Sequence, residues 1–416
     1  MEVPTRLPAT APAEERVFSS DFIFATLANF FSAFGQQMLT ATLPVYVLAI
    51  GGSQADAGLV SGTLAFTALL LRPPIGWLTD AWRRRPLVLI GTFCYGLASL
   101  AYVVAVSVPM LVLGRVIHGF GLGNYTTAAN AYVADITPAS RRAEAMGLYT
   151  SAQSIGLIVG PAVGFFIVSQ LGFQRLFYFT AGLAFTAFVV SWFARERRPR
   201  SSTKRAPWSP RIGIVAVDAL PIAWIAACLG MGFGPLGAFI SIFAQSRGIE
   251  NPGLYFTVQA AALLVSRPLA GRLADRRGRT FVMIPGTIVS ALSLALLPLA
   301  HEFPHFLISG ALFGLGFGTA QPAALAMLVD RVRLEQRGLA MSTYFLGFDL
   351  GISLGSMGLG VVGQNWGFGV MWPISAVCVL LGLLGLRGAK RPTQQAGDNA
   401  ILKPAAQEWF GGDADE

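Results

Sequence analysis

Charge is what this sequence has least of. Only 12% of its 416 residues are Asp, Glu, Lys or Arg, about half the ~25% of a soluble protein. A water-soluble domain is therefore excluded as the body of the chain. Cysteine and histidine are scarce, at three each. Cys94, Cys228 and Cys378 lie inside apolar runs and keep no metal-ligand spacing; they read as small buried hydrophobes. The sequence has no phosphate-binding loop, which argues against an ATP-driven pump. It also has no nucleophile elbow or metal cluster, so nothing converges on an enzyme. No cofactor is implied. Basic residues outnumber acidic ones, 30 to 21, yet a nucleic-acid partner does not follow. The Lys and Arg residues sit in alternate loops between apolar runs, which is a topology signal.

What is abundant is hydrophobic sequence in runs of roughly 20 residues, the length a helix needs to cross about 30 Å of hydrocarbon. The chain reads as an all-α polytopic membrane protein with the bilayer as its surroundings. Twelve spans are predicted, at about 20–49, 54–79, 87–107, 110–134, 141–168 and 174–194, then 212–245, 252–274, 280–300, 304–329, 337–362 and 367–387. The expected organisation is a tail over 1–18, a six-helix bundle over 19–194, a linker over 195–211, a second bundle over 212–388 and a tail over 389–416. Residues 1–18 read as a soluble tail rather than a cleavable signal peptide. The linker carries Arg197, Arg198, Arg200, Lys204 and Arg205. With Arg83, Arg84, Arg85, Arg276, Arg277 and Arg279 it marks one side of the membrane as basic. The positive-inside rule makes that side, and both termini, cytoplasmic in an inner (plasma) membrane.

The two halves are copies. Arg72-Pro-Pro-Ile-Gly76-Trp-Leu-Thr-Asp80 returns as Arg267-Pro-Leu-Ala-Gly271-Arg-Leu-Ala-Asp275, an offset of 195 residues. At that offset Gly119 meets Gly314, Asp135 meets Asp330, Ala145-Met146 meets Ala340-Met341, and Gly156 and Gly160 meet Gly351 and Gly355. Parallel six-helix repeats of this kind place a substrate site between the halves.

These residues resemble the major facilitator superfamily along nearly the whole chain. Gly271-Arg-Leu-Ala-Asp275-Arg-Arg-Gly278-Arg279 is similar to its loop signature, and Gly76 to Arg85 is a looser copy in which Ala81 and Arg83 replace the usual Arg and Gly. Leu113-Gly-Arg115-Val-Ile-His118-Gly119 is similar to the motif of the fourth span. Gly156-Leu-Ile-Val-Gly160-Pro161-Ala-Val-Gly164 resembles the signature of the proton-coupled drug-antiporter branch. The resemblance implies two pseudo-symmetric six-helix bundles and the export of a small organic molecule by alternating access in exchange for protons. It also puts Arg115 at a position proposed to help proton transfer. Proton-coupled uptake, or a sensor on the same fold, is the alternative. A monomer is expected.

Ionisable groups within the spans are the sharpest clues, because each is costly there. Asp349 sits near the middle of span 11 on a stripe with Ser342, Ser353 and Ser356. Its counterpart in span 5 is Ser154, so this acid has no twin. It is the first candidate for proton coupling or for holding a cationic substrate group. Arg115 and His118 follow, on one face of span 4 with Tyr125. Arg72 and Arg267 are expected to snorkel toward the cytoplasm or to make helix-capping contacts. The polar stripe Asn29, Ser32, Gln36 and Thr40 is expected to face a cavity, with Asn124, Tyr125, Gln153, Gln259, Gln321 and Tyr344 as further lining. Asp80 and Asp275 are expected to pair with Arg84 and Arg279 nearby, or with groups on the opposite half, as ion pairs that latch one conformation, joined by Asp135 and Asp330. Gly156, Gly160, Pro161, Gly164, Gly351 and Gly355 are expected to pack helices closely.

Overall fold

A computed structural model describes residues 18–138, 141–195, 215–249, 251–332 and 337–389, without the side chains of Asp80, Ala81 and Ala143. The predicted tails and linker therefore fall almost wholly outside the described residues. Within these there are helices and turns and no strand. The N-terminal half holds α1 (Ser20–Ala49), α2 (Gln54–Ala81), α3 (Arg84–Val104) and α4 (Val108–Ile136), then α5 (142–171) and α6 (173–193). The C-terminal half holds α7 (Leu220–Ser246), α8 (Gly253–Arg277), α9 (Arg279–Leu296), α10 (Phe303–Arg331), α11 (Arg337–Trp366) and α12 (Phe368–Leu381). A 3-10 turn, Gly382–Leu384, and a short helix, Gly385–Ala389, continue α12.

Local sequence explains where these rods begin and turn. The Ser19 hydroxyl caps α1 by accepting from the Phe22 amide at 3.2 Å. Ser53 and Asp56 form a reciprocal capping box on α2, which satisfies two otherwise orphaned amides. The loop expected between spans 5 and 6 is a single residue. The stretch Arg142–Phe193 is helical throughout except at Gly172, where φ is 79°. Gly367, at the same offset of 195, turns α11 into α12 with φ 77°. Only glycine enters that left-handed region without steric cost. The seventh span starts later than the predicted 212: α7 begins at Leu220, after a 3-10 turn Val217–Ala219. Leu220 is followed directly by Pro221, whose fixed φ and missing amide suit a first turn.

Each half is stitched by one glycine face. Gly156, Gly160 and Gly164 of α5 lie on α1, where an added Cβ would stand 2.9 Å from the Phe34 amide nitrogen, 3.0 Å from Gln37 Cβ and 3.2 Å from Met38 Cα. Gly347, Gly351 and Gly355 of α11 lie in the same way on Ala223, Ala227 and Met231 of α7. Hydrocarbon offers no hydrophobic drive for helices to associate, so close backbone approach supplies van der Waals contact instead.

The halves meet along two seams, α2 with α11 and α5 with α8, and the seams are symmetric rung by rung. Gly58 lies on the Ser356 carbonyl, and its counterpart Gly253 lies on that of Pro161. One step on, Ser353 Oγ donates to the Gly62 carbonyl at 3.2 Å, and Thr257 Oγ donates to that of Ile158 at 2.7 Å. Toward the arginine-rich end the seams part. A Cβ on Gly76, Gly147, Gly271 or Gly338, one on each seam helix, would meet nothing within 4 Å. The structure is closed at one end and open at the basic one.

Candidate substrate cavity and coupling pair

The parting of the seams leaves a cavity, and α1 supplies its polar wall. Its deep end lies among Gln37, Thr40, Pro161, Phe233 and Gln259, contributed by α1, α5, α7 and α8. Toward the basic end it widens to about 640 Å³, open on one side, between Gln36, Gln37, Thr150, Gln153, Ser154 and Arg267. A side pocket runs along α4 past Asn29, Ser32, Tyr125 and Tyr149. Gln37 borders the first two compartments and Gln153 the last two, so the three adjoin. Of the predicted lining, Asn29, Gln36, Tyr125, Gln153 and Gln259 border it. Asn29 is fixed by donating to the Tyr149 carbonyl at 3.0 Å.

Two predicted lining residues point elsewhere. Tyr344 is fully buried in the C-terminal half, with its hydroxyl 3.4 Å from the Gln321 carbonyl. Its large ring is used for packing, and Gln321 meets it through the backbone. Asn124 is 2% exposed and donates at 2.8 Å to the Phe120 carbonyl one turn back. A polar residue in an apolar helix is satisfied locally in this way without any cavity.

Asp349 is buried midway along α11, 6% exposed. Arg72 of α2 reaches across the seam to it, Nε donating to Oδ2 in an ion pair. The Arg72 guanidinium also lies 5.5 Å from the centre of the Phe345 ring. The expectation that Arg72 snorkels is therefore corrected: a desolvated carboxylate within reach holds the guanidinium better than a distant interface does. This is the third rung of the α2–α11 seam. On the α5–α8 seam the same rung is Arg267 and Ser154, both on the cavity wall. Sequence reasoning missed the pairing and the cavity position of Arg267. The offset could have found both, because it matches the two arginines and leaves Asp349 without a twin.

Arg115 and His118 are both 1% exposed and face α3 inside the N-terminal half, away from the seams. The Tyr102 hydroxyl stands 3.2 Å from His118 Nδ1, and the Arg115 guanidinium lies 5.9 Å from the Tyr102 ring centre. The Tyr95 ring is 4.9 Å from His118 and 5.8 Å from Tyr125. The predicted face of α4 is real in position, but an aromatic cluster covers it.

At the basic end the motif carboxylates bond within each half. Arg84 of α3 pairs with Asp135 of α4 at 2.6 Å, and its counterpart Arg279 of α9 pairs with Asp330 of α10 at 3.1 Å. Arg279 also holds Asp275, closing the α8–α9 turn. The Asp80 side chain lies outside the described residues. These links brace neighbouring helices of one half while the halves stand apart.

The arrangement can do two things chemically. Its cavity offers amide, hydroxyl and aromatic groups to a small organic molecule. Its buried carboxylate Asp349 sits where the two halves meet, paired there with the Arg72 guanidinium.

Family comparison agrees with this geometry. The family model described as Major Facilitator Superfamily matches residues 25–255 and 250–410. The chain is 21% identical over 368 residues to the uncharacterized MFS-type transporter MJ1560 of Methanocaldococcus jannaschii, covering 86% of this chain and 95% of the other. It is 25% identical to the multidrug resistance protein MdtG of Serratia proteamaculans, covering 89% and 94%. The fold matches a bacterial homologue of the human lysosomal transporter Spinster, solved inward-facing and occupied, with TM-score 0.75, 15% identity and coverage of 89% and 96%. Paired six-helix halves, the repeated loop motif and a family match along almost the whole chain agree: this is a multi-pass membrane transporter belonging to the Major Facilitator Superfamily.

Proposed function

We propose that the protein exports a small organic molecule across the inner membrane, in exchange for protons, by alternating access. The observation that carries this reading is the Arg72–Asp349 pair spanning the seam between the halves. With the basic end in the cytoplasm, the described conformation faces inward. Export as the direction draws on a relative named for multidrug resistance and on the Gly-Pro signature of α5.

The cycle follows from what Asp349 can hold. While ionised it keeps Arg72, and α2 stays on α11 at the third rung. A proton taken by the carboxylate removes the charge that attracts the guanidinium, and the third rung opens. Seam contacts then differ between the protonated and ionised forms, and differential stability of two conformations is what a coupling ion needs. Gly58 and Gly62 let the same seam close again without side chains in the way. A substrate in the cavity touches α1, α5, α7 and α8, so its binding is felt by both halves.

The test is proton movement in inverted vesicles carrying the wild type or Asp349→Asn, challenged with cationic drugs, sugars and amino-acid-like metal chelators. Substrate-dependent proton release in the wild type, lost in a folded Asp349→Asn, is the expected result. Coupling that survives the substitution removes Asp349 as the carrier.

A further inference from the structure

The two seams meet at matching positions at their first two rungs, the second bridged by a hydroxyl from opposite members of the matching pair, and they differ at the third. Arg72 pairs with Asp349; Arg267, its counterpart by the offset of 195 residues, shares a cavity wall with Ser154, the counterpart of Asp349. Among the described residues Arg267 has no acidic partner. Its surroundings on the cavity wall are neutral: Gln36, Gln37, Thr150 and Gln153. Arg267 is exposed on this wall, so its guanidinium donors are open to a ligand. Its planar fork of donors matches a carboxylate, two oxygens to two nitrogens. Gln153 adds an amide donor to the same wall, while the Thr150 and Ser154 hydroxyls donate to the Met146 and Thr150 carbonyls one turn back.

We propose that the transported molecule itself supplies the missing anion: the substrate carries a carboxylate, or a group of the same shape and charge, that binds Arg267 where the repeat would have placed an aspartate. The inference rests on the exporter reading and names its substrate class, an organic anion or zwitterion. A bound substrate then completes the third rung of the α5–α8 seam as Asp349 completes that of α2–α11. Loading the cavity and joining the halves on that side become one event. Sugars and purely cationic drugs lack the group and would leave the rung incomplete.

Tetramethylrhodamine, a zwitterion with a free carboxylate, and its methyl ester, which keeps the cationic ring system, separate the anion from the rest of the ligand. Binding is read by fluorescence anisotropy on the full chain in lipid nanodiscs. The expected result is that the wild type prefers the zwitterion by about tenfold or more, the scale of one charge-assisted hydrogen-bonded pair. Arg267→Gln loses the preference without losing the ester, and Arg267→Lys keeps part of it. Ser154→Asp, which gives Arg267 an internal carboxylate, loses it with the arginine still present. Ester binding that persists in the variants, at equal or higher affinity because the wall has lost positive charge, shows that the cavity is intact. Equal binding of the two dyes by the wild type, or a preference that survives Arg267→Gln, overturns the inference. Proton-coupled movement of the ester in inverted vesicles, measured alongside, separates the two readings: if it persists while the preference is absent, the exporter stands and the anion does not.

Discussion

The Arg72–Asp349 pair makes a quantitative demand that a double-mutant cycle can meet or refuse. Removing one member of a buried pair costs about 3–5 kcal/mol, mostly because the other charge is left behind. The two members are not equally dry: the Arg72 side chain keeps 23% of its exposure and Asp349 only 9%. Water reaches the arginine, and Phe345 gives it a second partner. Arg72→Gln, which strands the carboxylate, should therefore cost about 2–3 kcal/mol, below the full buried value. Asp349→Asn, which strands the wetter arginine, should cost about 1–2 kcal/mol on the same argument. The double variant leaves two neutral groups of similar size and should cost no more than the worse single change. The resulting coupling energy is about 1.5 kcal/mol or more, a factor of about ten in the balance between conformations. Unfolding of the four proteins in detergent, followed by tryptophan fluorescence, gives the cycle. Single effects that add to within about 0.5 kcal/mol would refute a working pair, and with it the rung on which proton coupling has been placed.

Three further outcomes are expected. Gly351→Leu should fail to assemble or lose about 3 kcal/mol, because the new side chain enters the Ala227 carbonyl of α7; Gly358→Ala, which meets nothing within 4 Å, should stay within about 0.5 kcal/mol. Thermal melts of the purified variants check this contrast. Asp330→Asn breaks a pair whose side chains are 29% and 59% exposed, so its cost should stay below about 1 kcal/mol and shrink with salt. Asp135→Asn, which takes the acid from the drier Arg84, should cost more in the same melts. His118→Gln should leave substrate-driven proton movement in place and cost about 1 kcal/mol of stability through the Tyr102 hydroxyl; loss of coupling in a folded variant would return His118 to the mechanism.

The fold was legible because its signals are coarse and repeated. Span length, basic loops and a constant offset require no knowledge of contacts, and α1 at Ser20–Ala49 matches its predicted 20–49. Gly172 escaped because a turn of one residue has no polar stretch to announce it. The cavity was half legible. A polar stripe on α1 shows its own face from periodicity, so Asn29, Ser32 and Gln36 could be placed. Tyr344 and Asn124 have the same chemistry but satisfy their polar atoms within their own half, and periodicity does not tell such residues from cavity residues. Arg115 and His118 show the limit most clearly. Their helix face is right, yet which neighbour covers that face depends on how α3 and α4 pack, and a single helix does not encode its partner. The meeting of Arg72 with Asp349 joins residues 277 apart in the chain, reachable only by taking the repeat as a three-dimensional symmetry.

The turns at the closed end have a practical side. Residues 50–53 join α1 to α2, 105–107 join α3 to α4, and single glycines make the turns at Gly172 and Gly367. Little chain protrudes there. On these four turns an antibody or engineered binder finds few side chains to grip and a protease few bonds to thread into its cleft; the connections after α7 and α9 add Arg247 and His301 to the same end. Epitope tags and circular breaks are poorly placed in such turns, since an inserted residue would have to be taken up by the helices themselves. Useful handles on this molecule lie on the other face, among its arginines.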